Sequence, residues 1–400
     1  MLKTIKFKML VLIAGGLGIG AIGLSWYFNR IYERTAERIT RESIRSAAGS
    51  FGEVERTSTE LMAAAMDALT RDPELRAGLA ARDPAKLLVA SESLYREYRS
   101  RFGISHWNYW EPEPGGETTP KGLRNVLRVG TPAMHGDFVE RETLARVARE
   151  HKAVSGLDLG YTGMVLRVLV PVEEDGHLIG YLELGKEIGG FLKTIKGTSG
   201  DEYGLLLAKA RLDEKKWTTQ RTTAGARNNW ADLPDVVVAQ NTADEEELVQ
   251  YRGRIADLPD DGQSLEVVVR GGRTMARGVF PIRDVAGAKV GAVFVLHDIS
   301  ALYEEMRSGQ QQAILGVVLL MALLAALITG AFQRLVVQRI QHMTQVATRV
   351  VGGEFDLEVV PTADDEIGAF ETLFEQFRLL FVELIGQAQR STGGAGQERR

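Results

Sequence analysis

One predicted strand, residues 102–110, carries polar and aromatic side chains that could contact a ligand. Because side chains alternate across a strand, three of them share one face: His106, Asn108 and Trp110. Trp107 and Tyr109 share the other face. One side of this strand is therefore a candidate binding surface.

Arginines in neighbouring segments give this surface its chemistry. Arg128 and Arg167 belong to two further predicted strands, while Asp137 and Arg141 occupy a loop and helix start that would cover the pocket. Guanidinium groups match carboxylate geometry, so an arginine pair beside an aromatic floor predicts a site for a carboxylate or another small anion. Asp137 and Arg141 could instead form a structural ion pair.

Metal binding and catalysis have less support. His106, His135 and Asp137 could form a nitrogen and oxygen metal site, but their spacing is not diagnostic, and we predict neither a metal nor a cofactor. The chain has no nucleophile elbow, P-loop, zinc helix motif or kinase signature. Residues 352–355 (GGEF) resemble the diguanylate cyclase signature, but too few residues follow for a cyclase domain. We predict that the protein is not an enzyme.

The overall charge excludes one class of partner. The chain has 400 residues and a formal net charge of -5, so nothing supplies the basic surface that nucleic-acid binding requires. It has no cysteine, which excludes disulfides and thiolate metal sites.

Two uncharged apolar runs, residues 9–28 and 313–332, are each about 20 residues long, enough to cross a bilayer as a helix. A cleavable signal peptide is the alternative for the first run. Its apolar core is too long, however, and the residues at its exit are bulky: Trp26, Tyr27 and Phe28. We therefore predict two transmembrane helices.

Positive charges beside these runs predict the orientation. Lysines precede the first run at Lys3, Lys6 and Lys8, and arginines follow the second at Arg334 and Arg339. Both termini are then cytoplasmic. Residues 29–312 lie outside, in the periplasm of a Gram-negative cell, and the protein lies in its inner membrane.

Periodicity predicts the elements between the two spans. Residues 29–69 form one long helix that Asp72 and Pro73 end, and residues 84–99 form a second helix. Further strands are predicted over residues 125–129, 164–172 and 177–184, with a hairpin between the last two.

A repeat divides this region into two similar units. Residues 167–172 (RVLVPV) and 179–180 (IG) reappear as residues 277–282 (RGVFPI) and 290–291 (VG). The second copy has one extra residue in its turn. Two tandem α+β units are expected, unless two hairpins merely share turn chemistry.

The organisation resembles the double Cache family of extracytoplasmic sensors. The membrane-distal unit carries residues 104–112 (ISHWNYWEP), 127–129 (LRV), 156–160 (GLDLG) and 180–188 (GYLELGKEI), which resemble a subgroup found on histidine kinases, chemoreceptors and cyclases. The resemblance is strongest over residues 100–190 and implies a ligand site that includes Glu183. The chain departs from the subgroup at Trp110 and Gly130, where the subgroup favours histidine.

The segment after the second span resembles a HAMP domain, a parallel dimeric coiled coil that relays signals. Two amphipathic helices flank residues 352–357 (GGEFDL), and the second opens with residues 365–368 (DEIG). Arg339 stands where the family usually has proline. The resemblance implies a homodimer and four relay residues: Glu354, Asp365, Glu366 and Gly368.

The expected fold is α+β, with two tandem PAS-like Cache units on a long N-terminal helix, two transmembrane helices, and a HAMP parallel coiled coil in the homodimer. The predicted division is a cytoplasmic N-terminus (1–8), a first span (9–28), a double Cache domain (29–312; distal unit about 72–197, proximal unit about 198–300), a second span (313–332), a HAMP domain (333–386) and a disordered tail (387–400).

The predicted function is a membrane receptor that senses a small molecule, such as a carboxylate, and signals through the HAMP domain to a separate histidine kinase, chemoreceptor or other partner. No output domain follows the tail, so the alternative is a fragment of a longer receptor. A non-signalling membrane scaffold that docks another envelope protein is the second hypothesis.

Overall fold

The computed structural model describes residues 5–112, 122–160, 163–243, 249–354 and 356–394. The chain forms two compact units. The two-sheet unit comprises Ile31–Glu305, and the helical unit combines Met1–Arg30 with Met306–Arg400. Each unit is described by itself.

Nine helices occur in the described residues: α1 Ile5–Leu69, α2 Pro73–Ala80, α3 Pro84–Phe102, α4 Glu142–Glu150, α5 Gly189–Ser199, α6 Glu214–Thr223, α7 Ser300–Phe332, α8 Gln338–Val351 and α9 Glu366–Gly394. The strands of the described residues are β1 His106–Glu111, β2 Leu123–Arg128, β3 Phe138–Val139, β4 Val154–Leu159, β5 Met164–Glu174, β6 His177–Glu187, β7 Glu202–Ala208, β8 Val236–Asn241, β9 Gln263–Arg270, β10 Arg273–Arg283 and β11 Lys289–Asp298. The predicted mixed α and β architecture on a long N-terminal helix is confirmed.

The strands form two sheets of the same topology. The first has the order β3-β2-β1-β6-β5-β4, and the second has the order β8-β7-β11-β10-β9. The two orders match strand for strand once β3 is set aside. The repeat inferred from the sequence therefore corresponds to two sheets built in the same way.

The two central hairpins also share their register. Val172 pairs with Gly180 in the first sheet, and Ile282 pairs with Gly291 in the second. The register shifts directly after Val172 in the first sheet and directly after Ile282 in the second. The two copies of the repeat therefore share the same irregularity in their strand pairing. Shared turn chemistry alone does not explain an equivalent bulge.

Helix α1 supplies core side chains to both sheets. The ring of Phe51 lies 5.7 Å from the ring of Phe191 and 6.2 Å from the ring of Phe280. In the second sheet, a Cβ atom at Gly278 would lie 2.4 Å from Ile44, so the absence of a side chain lets α1 pack closely on β10. The helix therefore joins the two sheets into one unit.

The start of β1 differs from the prediction. Residues 102–105 were assigned to the strand, but Phe102 ends α3 and β1 begins at His106. Gly103 follows the helix with a φ of 72° and caps it in the left-handed conformation, which glycine adopts without strain. The aromatic residue before this glycine therefore belongs to the last helical turn.

The helical unit contains long apolar segments. Two helical stretches, Val11–Leu69 and Ser300–Val351, are long and apolar enough to cross a membrane, judged by length and composition. A π-helical turn, Gln333–Val337, joins α7 to α8. Helix α9 continues to Gly394, whereas we predicted a disordered tail from residue 387. Gln387 and Ala388 favour helix, which explains the extension; residues 395–400 lie outside the described residues.

Candidate ligand-binding site

The first sheet lines a cavity of about 670 Å³ in the two-sheet unit. Strand β1 directs alternate side chains to its two faces, so Trp107 and Tyr109 enter the core. His106 and Asn108 line the cavity instead. Three of the predicted arginines line it as well: Arg128, Arg141 and Arg167.

Glu183 lies behind the lining arginines. It is fully buried on β6, where Arg141 Nη1 donates to its Oε1 at 3.3 Å and Nη2 donates to its Oε2 at 3.1 Å. Arg167 Nη1 also donates to Glu183 Oε1. Burial would raise the pKa of Glu183, but the charges of the two arginines outweigh it and hold the pKa below its ordinary value. Glu183 is therefore an ionised anchor for two guanidinium groups.

Trp110 completes this anchor. Its side chain is fully buried, and its Nε1 donates to Glu183 Oε2 at 2.7 Å. The guanidinium carbon of Arg141 lies 5.3 Å from the centre of the indole ring, a cation–π distance. Trp110 and Glu183, both predicted to contact ligand, lie in the layer that holds the lining arginines.

Arg167 is held from a second side. Asp158 Oδ2 lies 3.9 Å from Arg167 Nε and accepts a hydrogen bond from Thr143 Oγ1 at 2.5 Å. The Nε atoms of Arg141 and Arg167 are buried and donate no hydrogen bond within the described residues. Buried donors of this kind are normally satisfied, so these two Nε atoms are exceptions.

Arg128 has its own internal partner. Its Nη1 donates to Asp137 Oδ1 at 2.6 Å and its Nη2 donates to Asp137 Oδ2 at 2.8 Å. The hydrogen bond and charge of Arg128 hold the pKa of Asp137 below its ordinary value. The sequence left open an ion pair between Asp137 and Arg141; in the structure Asp137 pairs with Arg128 instead.

His106 is neutral in this setting. Burial lowers its pKa to about 4, and the positive charge of Arg167 adds to the effect. Ser105 Oγ lies 2.9 Å from His106 Nδ1 and fixes the ring. No group of three metal-ligating side chains occurs in the parts of the chain that the structure describes.

The departure at Gly130 has a steric reason. A Cβ atom there would lie 2.6 Å from the hydroxyl oxygen of Tyr95. That hydroxyl donates to the carbonyl oxygen of Ser105 at 2.9 Å, just before His106. Tyr95 therefore fills the space that a side chain at position 130 would need.

The second sheet contributes cavity residues that sequence reasoning missed. They lie before or within α6 and on β8: Arg211, Lys216, Gln220, Arg221 and Gln240. The sequence contained no signal for them, because only the packing of the two sheets brings α6 opposite β1.

Three of the four predicted relay residues lie at the start of α9, and the fourth, Glu354, follows α8. Asp365 caps this helix, accepting a hydrogen bond from Gly368 N at 2.8 Å. A Cβ atom at Gly368 would lie 1.8 Å from the carbonyl oxygen of Ala363, so this position requires glycine. Glu366 lines an apolar groove between α8 and α9, and Glu354 pairs with Arg349.

Arg339 ties α8 to the same region. Its Nη1 donates to both carboxylate oxygens of Asp365, at 2.9 and 2.7 Å. Its Nε and Nη2 donate to Glu371 at 3.0 and 2.9 Å, and Glu371 also accepts from Thr362 N. The residue that replaces the expected proline is therefore the centre of an ion cluster.

The repeated sheets on a long helix define a class of tandem α+β domains. Residues 126–303 match the family model of the double sensory domain of two-component sensor kinases, dCache_3. Over these residues the two-sheet unit matches the double Cache family of sensory domains. The match extends from β2 through the second sheet. No curated protein sequence matches the chain.

The chain is also similar, at low identity, to solved structures of sensor domains. The periplasmic domain of Vibrio cholerae LuxQ is 12% identical, with 66% of this chain and 99% of that chain covered and a TM-score of 0.34. The isoleucine-bound sensory domain of the Campylobacter jejuni chemoreceptor Tlp3 is 10% identical, with 68% and 95% covered and a TM-score of 0.35.

Proposed function

We propose that the protein is a membrane receptor that binds a small carboxylate-bearing molecule in the cavity beside β1 and relays binding to a separate output protein. The observation that carries this proposal is the cavity wall beside β1, which is lined by three guanidinium groups, those of Arg128, Arg141 and Arg167. A carboxylate supplies acceptors for such donors. The double Cache family supports the sensing role.

The volume of the cavity fits a small organic molecule. Ligand sites commonly measure about 300 to 1,000 Å³, and this cavity of about 670 Å³ lies within that range. Because Glu183 already holds Arg141 and Arg167 in place, little side-chain ordering is needed on binding.

The membrane arrangement rests on the two apolar helices and their flanking charges. The spans occupy residues 9–28 and 313–332, both termini are cytoplasmic, and the two-sheet unit faces the periplasm of a Gram-negative cell. The protein then lies in the inner membrane.

The relay is a HAMP domain in a homodimer. An apolar groove of about 560 Å³ between α8 and α9 is lined by Ile340, Met343 and Phe370, among others. Leu373 and Phe377 are more than half exposed in the single chain. A second copy that packs its own helices here would bury these side chains. The output partner, such as a histidine kinase or a chemoreceptor, responds to the change in packing of α8 and α9.

A thermal-shift screen of the full chain in nanodiscs tests the ligand class. Saturating carboxylates are expected to raise the Tm of the two-sheet unit by about 5 °C, because ligand at 100 times Kd adds about 2.7 kcal/mol. Matched amides and amines should leave the Tm unchanged. Arg141→Gln should abolish the shift, and Arg146→Gln, on the exposed side of α4, should keep it.

A Tm that no carboxylate shifts would contradict the proposal. Co-purification of an envelope protein through the two-sheet unit, in the absence of any ligand response, would instead favour the scaffold hypothesis.

A further inference from the structure

The cavity has two walls of different charge. The wall from the first sheet contains arginines that already have carboxylate partners, since Arg128 pairs with Asp137 and Arg167 pairs with Glu183. Glu140 and Glu187 also line this side. The first sheet therefore presents guanidinium donors whose charge is largely balanced from within.

The wall from the second sheet presents two arginines, Arg211 and Arg221, that have no carboxylate partner within the described residues. The Arg211 guanidinium makes no hydrogen bond or ion pair within the described ranges 5–112, 122–160, 163–243, 249–354 and 356–394. Arg221 donates its Nε to Arg227 O at 3.1 Å and its Nη1 to Ala239 O at 3.4 Å, both neutral acceptors. Asp213 lies on this wall too, but its carboxylate caps α6 by accepting from Lys216 N at 2.9 Å.

We propose that Arg211 and Arg221 bind a carboxylate group of the ligand, and that the rest of the ligand lies against β1, so that one molecule bridges the two Cache units. This inference rests on the proposed function and assigns the anion subsite to the second unit. A carboxylate gains more from guanidinium groups that lack a counterion than from those already neutralised. Glu140 and Glu187 repel the same carboxylate from the opposite wall.

A ligand that bridges the two units contacts elements that are connected to the second apolar helix, α7. Helix α6 follows β7, β7 pairs with β11, and β11 ends at Asp298, two residues before α7 begins. A ligand that fixes α6 relative to β1 therefore constrains the sheet whose central strand leads into α7. Such a ligand favours the state in which both walls contact it.

Isothermal titration calorimetry on the full chain in nanodiscs tests the subsite, with acetate, succinate and citrate as probes. Arg211→Gln is expected to weaken the tightest of these at least tenfold, and Arg211→Lys to retain most of the affinity. The matched control is Lys215→Gln, an exposed cation on α6 outside the cavity lining, which should bind like the unaltered chain.

A second measurement tests the bridge and leaves Arg221 unaltered, because this residue also packs on Trp217. Bound carboxylate should slow hydrogen exchange in both β1 and α6 of the unaltered chain, but only in β1 of the Arg211→Gln variant. Unchanged affinity in Arg211→Gln, with exchange slowed in β1 alone in the unaltered chain, would overturn the bridging subsite and leave the proposed function intact. No binding of any probe to the unaltered chain would overturn both.

Discussion

Trp110 donates its indole N–H to Glu183 across 2.7 Å at a site where both side chains are fully buried. The contact joins one of the two departures from the double Cache subgroup to the carboxylate that anchors Arg141 and Arg167. A tryptophan at this position therefore supports the arginines of the cavity wall from behind.

Glu183→Gln should destabilise the two-sheet unit by about 3 to 5 kcal/mol, because it leaves two buried guanidinium groups without their counterion. Urea unfolding followed by tryptophan fluorescence measures the change. Glu173→Gln, an exposed residue of the neighbouring strand β5, is the control and should change little. Equal stability of the two variants would show that Glu183 does not stabilise Arg141 and Arg167.

Stability should fall on acidification because of His106. Its folded pKa of about 4 lies below the ordinary value of 6.5, so the unfolded chain binds more protons between these values. Folding therefore loses stability as the pH drops from 6.5 to 4, by about 3 kcal/mol from this group. Comparing unfolding of the unaltered chain and His106→Gln across this window isolates the effect. A difference that does not change with pH would contradict the assignment.

Gly130→Ala should cost about 2 kcal/mol, since the new methyl group overlaps the Tyr95 hydroxyl. Adding Tyr95→Phe removes that oxygen and should recover part of the loss, so the two changes are non-additive in a double-mutant cycle. Additive losses would show that the hydroxyl of Tyr95 is not what restricts position 130.

Arg339→Gln should loosen the start of α9. The variant removes the bonds to Asp365 and Glu371, and amide exchange at residues 362–368 is expected to increase about tenfold, the effect of 1.4 kcal/mol. Arg349→Gln removes a more exposed pair with Glu354 and serves as the control. Identical amide exchange at residues 362–368 in the two variants would show that the ion cluster does not stabilise the start of α9.

The homodimer can be tested with single cysteines, because the chain has none of its own. Phe377 lies on the apolar stripe of α9, so the Phe377→Cys variant should form a disulfide-linked dimer when membranes are treated with an oxidant. Thr372→Cys lies on the opposite face of the same helix and should remain monomeric. If only the Thr372→Cys variant cross-linked, the dimer contact would lie on the opposite face of α9 and the proposed HAMP packing would be contradicted.

The sequence by itself determined the local and periodic features. Alternation along β1 separated His106 and Asn108 from Trp107 and Tyr109, and the repeat identified two sheets whose central hairpins share a register. These features follow from short-range geometry, which the order of residues specifies directly.

Only the tertiary structure decided which charges pair and what the cavity contains. Arg128 joins Asp137, Arg141 joins Glu183, and Arg211 from the second sheet lines the same cavity as His106. The order of residues does not distinguish which of several carboxylates pairs with each arginine. Pairing depends on distances between strands far apart in the chain, and those distances exist only after α1 has packed the two sheets together.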